Sequence, residues 1–331
     1  MKIGLLGAGR IGKSHARVLA GHPDVDALIV GDIDPERAEA TANEIREQHG
    51  SIEEVIGSEP DAVVIAATTS AHTELIGACL DADLPTFCEK PIAIGYEETL
   101  AIVDRIESSG ATLQIGFQRR FDAGYREAKR LIDTGELGTL YTIRLATHDP
   151  EPPHEGYIPE SGGIFRDLHI HDLDILLWLV RSEAEEVYAQ GSVRKFDMFE
   201  RYEDFDTSAL MIRMADGVLA VLTGGRQNPL GYDVRTEIFG SGDSISVGLD
   251  RRTPLRSVEP GAAPSSSEAY SNFLVRFEDA YRAELAHFLE VARGRAENLC
   301  TAREALDALR VAVAADVSVA EHRPVMVEEV Q

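Results

Sequence analysis

The chain opens on KIGLLGAGRIG, an apolar run that ends in Gly7, Gly9 and Gly12 at the spacing G-x-G-x-x-G. A strand that passes through such glycines into a helix leaves backbone N–H groups and the positive helix end facing the turn, where a pyrophosphate fits. The motif alone is a weak signal, because glycines recur in turns. The next apolar run, ALIVGDID, ends at Asp32, 20 residues beyond Gly12, at the distance where a carboxylate binds an adenosine ribose diol. Asp32 repels a 2′-phosphate and Ile33 offers no cation in its place, so NAD is favoured over NADP. Arg10 and Arg37 partly offset that preference. The competing reading is a tight turn followed by an Asp that opens DIDPE.

A chain of 331 residues is enough for about two domains of roughly 100 to 200 residues each. Over residues 1–121, β-rich runs alternate with helical ones: KIGLLGAG, ALIVGDID, DAVVIAAT, PTFCEKP and ATLQIGF, with PERAEATANEIREQ, SAHTELIGACLDA and YEETLAIVDRIESSG between them. This is the pattern of a parallel sheet with crossover helices, and strands apolar throughout are those covered on both faces. From 122 to 331 the texture changes to alternating strands in hairpin-like succession, such as LYTIRLATH and DTSALMIRMADGVLAVLTGG. These predict an α+β domain with a mainly antiparallel sheet. GAAPSSSEAY reads as a loop, and two helices close the chain.

A formal net charge of −25 opposes binding to nucleic acid or to an anionic membrane surface. No apolar run approaches the roughly 18 residues of a membrane span. Cys79, Cys88 and Cys300 are scattered and odd in number, without C-x-x-C spacing, so neither a disulfide framework nor a structural zinc is indicated. The expectation is a cytoplasmic protein in a reducing compartment.

Lysine occurs only at 2, 13, 90, 129 and 195, so each invites inspection. Lys90, in FCEKPIAI, falls where a fifth parallel strand should end, the rim at which open α/β sheets bind ligands. An ammonium there stabilises developing alkoxide charge; the competing reading is a surface lysine in a turn. In SGGIFRDLHIHDLDILLWLV, a helix over 167–180 would put 167, 171, 174 and 178 on one stripe. Asp167 and His171 then face together as an acid/base pair, His169 points away, and Asp172 stays on the solvated side. No third ligand stands in register, so no metal is called for.

Taken together, G-x-G-x-x-G, the E-K-P of the fifth strand and G-G-x-x-x-D-x-x-x-H resemble the Gfo/Idh/MocA oxidoreductases over essentially the whole chain. The resemblance implies a Rossmann domain followed by an open-faced sheet that carries substrate residues and builds a homo-oligomer, a dimer or tetramer. It also implies that Lys90, Asp167 and His171 are the catalytic set. The cofactor set comprises Gly7, Gly9, Arg10, Ile11, Gly12, Asp32, Ile33, Thr68, Thr69, His72, Glu89 and Lys90, with helix capping as the competing role for the Thr68–His72 segment.

Further segments are similar to the inositol dehydrogenases of that family, namely GFQRRFDAGY, the YIPESGGIFRDLHIHDLD run, GYDVRTEIFG and RFEDAYRAEL. They imply NAD-dependent oxidation of a cyclic polyol, with myo-inositol to 2-keto-myo-inositol (scyllo-inosose) first. Substrate contacts would then come from Lys90, Arg119, Arg120, His148, Asp149, Asp167, His171, Tyr232 and Tyr281. The arginines could instead pair with acidic residues, His148 and Asp149 could close a turn, and the tyrosines could be core. Other substrates on the same scaffold are a sugar, an amino-cyclitol and scyllo- or chiro-inositol, and the non-enzymatic reading is an NAD-binding sensor. Gln118, His169 and the run TGGRQNPLGYD depart from the usual pattern.

Overall fold

The computed structural model describes residues 1–262 and 268–330. Of the loop expected over GAAPSSSEAY, residues 263–267 lie outside the described residues. The chain divides into two compact units, Met1–Phe121 with Asp279–Leu306, and Asp122–Glu278 with Asp307–Gln331. The first unit's longer segment ends at Phe121, and the second unit is interrupted by Asp279–Leu306. The reason is packing: helix Glu278–Ala292 buries Leu285, Phe288 and Leu289 in one core with Ile3, Leu5, Val30, Val64 and Phe87. Residues that follow cover the sheet edge, where Ile115 N–H donates to the Cys300 carbonyl at 2.9 Å and Asn298 Nδ2 to the Leu113 carbonyl at 2.7 Å.

The first unit holds six parallel strands, β1 (Lys2–Leu6), β2 (Ala27–Gly31), β3 (Gln48–Gly50), β4 (Ala62–Ile65), β5 (Thr86–Glu89) and β6 (Leu113–Gly116), in the order β3-β2-β1-β4-β5-β6. The order reverses between β1 and β4, so the carboxyl ends of these strands open onto a crevice there. Five of the strands carry the apolar runs that announced them. β3 does not: it is the polar triplet QHG, where a helix had been expected to run on to 48. That helix stops at Ile45, because Arg46 takes a left-handed conformation, φ 61°.

The second unit holds β7 (Leu140–His148), β8 (Ala184–Ser192), β9 (Thr207–Met214), β10 (Leu219–Gly225), β11 (Asp233–Gly240), β12 (Ser244–Val247) and β13 (Val325–Met326), ordered β12-β11-β7-β10-β9-β8-β13. β7 and β10 are parallel; the other pairs are antiparallel. Burial alternates along β9 and β10, so one face is packed and the other is open. Tyr188, Met211 and Val221 form a cross-strand row on the open face, and each is at least a third exposed.

Candidate active site

At the start of the first unit, Gly7 has φ +103°, and a Cβ there would stand 2.5 Å from the Ala66 backbone. That conformation and that proximity both demand glycine. Gly12 is equally constrained, because its Cβ would collide with the Gly7 carbonyl. Gly9 differs: a Cβ there would meet nothing within 4 Å. It precedes helix Arg10–Ala20, which has no side-chain cap, and the open space beside Gly9 leaves room for a pyrophosphate at the helix start. Asp32 directly follows β2, with Oδ2 accepting the Ala8 N–H at 2.7 Å and Oδ1 the Asp34 N–H at 2.9 Å. Two N–H donors leave carboxylate lone pairs for a ribose diol. Arg37 lies 3.6 Å from Oδ1, and Ile33 is 90% exposed. These residues fit a dinucleotide.

Lys90 directly follows β5, and the residues around it are tied down. His15, fully buried in the first helix, meets the Glu89 carboxylate through Nε2 at 2.7 Å and packs edge-on against Phe87 and Tyr281. His72 sits between the Pro91 carbonyl, 2.7 Å from Nδ1, and the Ala67 carbonyl, 3.2 Å from Nε2. Burial depresses its pKa against the pull of those carbonyls. His72 is therefore buried and braces the Lys90–Pro91 turn to the end of β4, neither lining an open surface nor standing exposed at a cap. Thr68, at the start of helix Thr69–Asp81, makes no side-chain cap bond and is exposed.

In the second unit the expected continuous helix over 167–180 is broken. Gly162 and Gly163, both with positive φ, turn the chain into a short helix Ile164–Asp167, and a second helix runs Ile170–Val180. At the junction the N–H groups of Leu168 and His169 both donate to the Ile164 carbonyl. The regular 3.6-residue period is interrupted there, so the two residues stand on separate helical segments. Asp167 is placed by partners instead: Oδ1 accepts from the Tyr157 hydroxyl and Oδ2 from Arg226 Nη1, both at 2.9 Å. Arg226 also lies 3.5 Å from Asp149. Burial works against its charge, but Asp167, Asp149 and Asp204 outweigh it and hold the guanidinium protonated.

Asp172, expected in solvent, is 1% exposed, and His169 is fully buried beside it. His171, between them, is partly exposed, and Asp174 is buried. His148 ends β7; burial lowers its pKa, and among the described residues its Nδ1 has no hydrogen-bond partner. Asp149 is fixed by its backbone, donating to the Gly225 carbonyl at 2.9 Å and accepting from the Asn228 N–H at 2.6 Å. Tyr232 packs edge-on against Phe277.

Three expected substrate residues are buried in the first unit. Arg119 and Arg120 are buried, and Arg120 Nη1 donates to the Leu299 carbonyl at 2.7 Å and to Glu304 at 2.8 Å. Tyr281 belongs to the first unit, against His15. Arg226 was missed by the sequence reading, and its only signal is its place directly after the glycine pair that ends β10.

Two family profiles match the chain: an oxidoreductase family with an NAD-binding Rossmann fold over residues 1–117, and the GFO/IDH/MocA C-terminal domain over 125–246. Myo-inositol dehydrogenase Hyg17 of Streptomyces leeuwenhoekii is 36% identical over 96% of this chain and 97% of its own. A crystal structure of a myo-inositol dehydrogenase from Corynebacterium glutamicum superposes with a TM-score of 0.90 at 31% identity, covering 98% of both chains. The scyllo-inositol dehydrogenase of Lactobacillus casei, solved with NAD(H) and scyllo-inositol bound, gives 0.87 at 27% identity and 99% of both. With its glycine loop, its Asp32 and its full-length likeness to these proteins, the chain belongs to the GFO/IDH/MocA family of NAD-dependent oxidoreductases.

Proposed function

We propose that this protein oxidises a secondary hydroxyl of a cyclic polyol, with myo-inositol to 2-keto-myo-inositol as the leading reaction. The observation that carries this reading is the Asp149–Arg226–Asp167 cluster, in the same unit as His148 and His171. A ring of hydroxyls needs donors and acceptors in number, and this cluster supplies both. His171 accepts the hydroxyl proton as general base, and Lys90 donates to the same oxygen, stabilising the emerging alkoxide. Asp167, held by Arg226 and Tyr157, orients the substrate. NAD on the glycine loop would take the hydride from the carbinol carbon.

The test is NADH absorbance with myo-, scyllo- and chiro-inositol, glucose, xylose and amino-cyclitols. Lys90→Ala and His171→Ala should each lower kcat by about 10²-fold or more. No turnover on any polyol despite NAD binding would leave the NAD-sensor reading. Retained activity in both variants would overturn the residue roles.

The exposed row of Tyr188, Met211 and Val221 on the open sheet face supports self-association as a dimer or tetramer, which light scattering would measure. Free, buried cysteines fit the reducing cytoplasm.

A further inference from the structure

We propose that His169 is a positioning residue for His171 and that Gly224 is its seat. The inference rests on the reading of His171 as the base. His169 Nδ1 lies 2.9 Å from Asp172 Oδ2, and Nε2 lies 2.8 Å from Ser208 Oγ on β9. The other Asp172 oxygen accepts from Thr147 Oγ1 on β7 at 2.7 Å. A carboxylate acceptor at one nitrogen and a hydroxyl at the other assign the tautomer: Nδ1–H donates to Asp172, and Nε2 accepts the Ser208 proton. The order Ser208–His169–Asp172 is that of a hydrolytic triad, but Ser208 is only 4% exposed and no substrate reaches it. What the chain of bonds does is mechanical. His169 and Asp172 bracket His171 in the first turn of helix Ile170–Val180, and their bonds fasten that turn to β7 and β9.

The space for this imidazole is made by the glycine pair that ends β10. A Cβ on Gly224 would overlap His169 Nε2 and stand 2.9 Å from Ser208 Oγ. On Gly225 it would meet His148 Cδ2 at 2.8 Å. Two of the three departures noted in the sequence, His169 and the TGGRQNPLGYD run that contains Gly224, thus meet in one arrangement. A larger residue at 224 and an imidazole at 169 exclude each other.

Kinetics of five variants, four single and one double, with NAD and the polyol that the wild type turns over best decide the matter. His169→Gln, which keeps a group near Ser208 but none toward Asp172, should lower kcat about a hundredfold while KM for NAD stays unchanged. His169→Asn, whose amide N–H takes the place of Nδ1–H, should recover most of that loss. Gly224→Ala should lose kcat as His169→Gln does, yet cost less than about twofold when added to His169→Ser, because the displaced ring is gone. Wild-type kcat in His169→Gln or Gly224→Ala overturns the proposal. So do equal losses in the Gln and Asn variants. A wild type inactive on every polyol overturns the polyol reading instead. Melting temperatures then decide about the seat: non-additive losses for Gly224→Ala and His169→Ser support it, and additive losses overturn it.

Discussion

Arg226 Nη1 donates to Asp167 Oδ2 at 2.9 Å from a side chain that is 3% exposed. A buried guanidinium facing Asp167, Asp149 and Asp204 is their shared counter-charge. Replacing it by Met leaves buried negative charge without compensation. Arg226→Met should therefore destabilise the protein by about 3–5 kcal/mol, read from urea unfolding. A loss below about 1 kcal/mol, the level of an exposed pair, would show that the cluster is solvated in practice.

Cofactor choice should follow the charge of Asp32. Asp32→Asn keeps an oxygen that can accept the Ala8 N–H and removes the repulsion toward a 2′-phosphate, while Arg37 loses its partner at 3.6 Å. The ratio of kcat/KM for NAD over NADP should fall about tenfold or more, a shift of about 1.4 kcal/mol. An unchanged ratio would mean that another group selects the cofactor.

Stability should respond to pH through groups of opposite sign. Burial lowers the pKa of His72 and His148 below the ordinary 6.5, so the unfolded chain takes up protons first and stability is lost as pH falls below 6.5. Burial pushes Asp316 from 3.8 up to about 6, against the pull of Arg166, so the folded state holds the extra proton and stability is lost as pH rises through that interval. Melting curves from pH 4 to 8 should show His72→Gln flattening the slope near 6 and Asp316→Asn raising the melting temperature above pH 6. Reversed signs would refute the assignment.

All three cysteines are free and buried, and burial raises the thiol of Cys79 to about 11 and that of Cys88 well above its usual value. Thiolate is the reactive form. A thiol reagent at pH 8 should modify none of them in the folded protein within minutes and all of them in urea. Rapid labelling of the native protein would mean that the first unit opens locally.

How far the site could be read beforehand depended on what placed each residue. Gly7, Gly9, Gly12 and Asp32 were legible because a strand, a turn and a helix start are set by neighbours a few residues apart. Lys90 was legible as the end of an apolar run. By contrast, the Asp167–His171 alignment was inferred from an unbroken helix, whereas the chain carries two helical segments joined at the Ile164 carbonyl. Asp172 was assigned to solvent because helical spacing takes it off the 167–171–174 stripe; Thr147 and His169 satisfy it in the interior. Tyr281 was assigned through the resemblance carried by RFEDAYRAEL, and its helix packs it in the first unit against His15.

The sequence by itself determined the two-part architecture, the parallel first sheet with its nucleotide turn, and the open, mainly antiparallel second sheet, because periodicity and turn chemistry are local. Only the tertiary structure decided which polar groups are buried together. Arg226 with its carboxylates, and His169 seated on Gly224 with Ser208, join residues tens of positions apart. Nothing in local propensity rewards such pairings; they exist because a buried polar group must find its partner wherever the fold brings one.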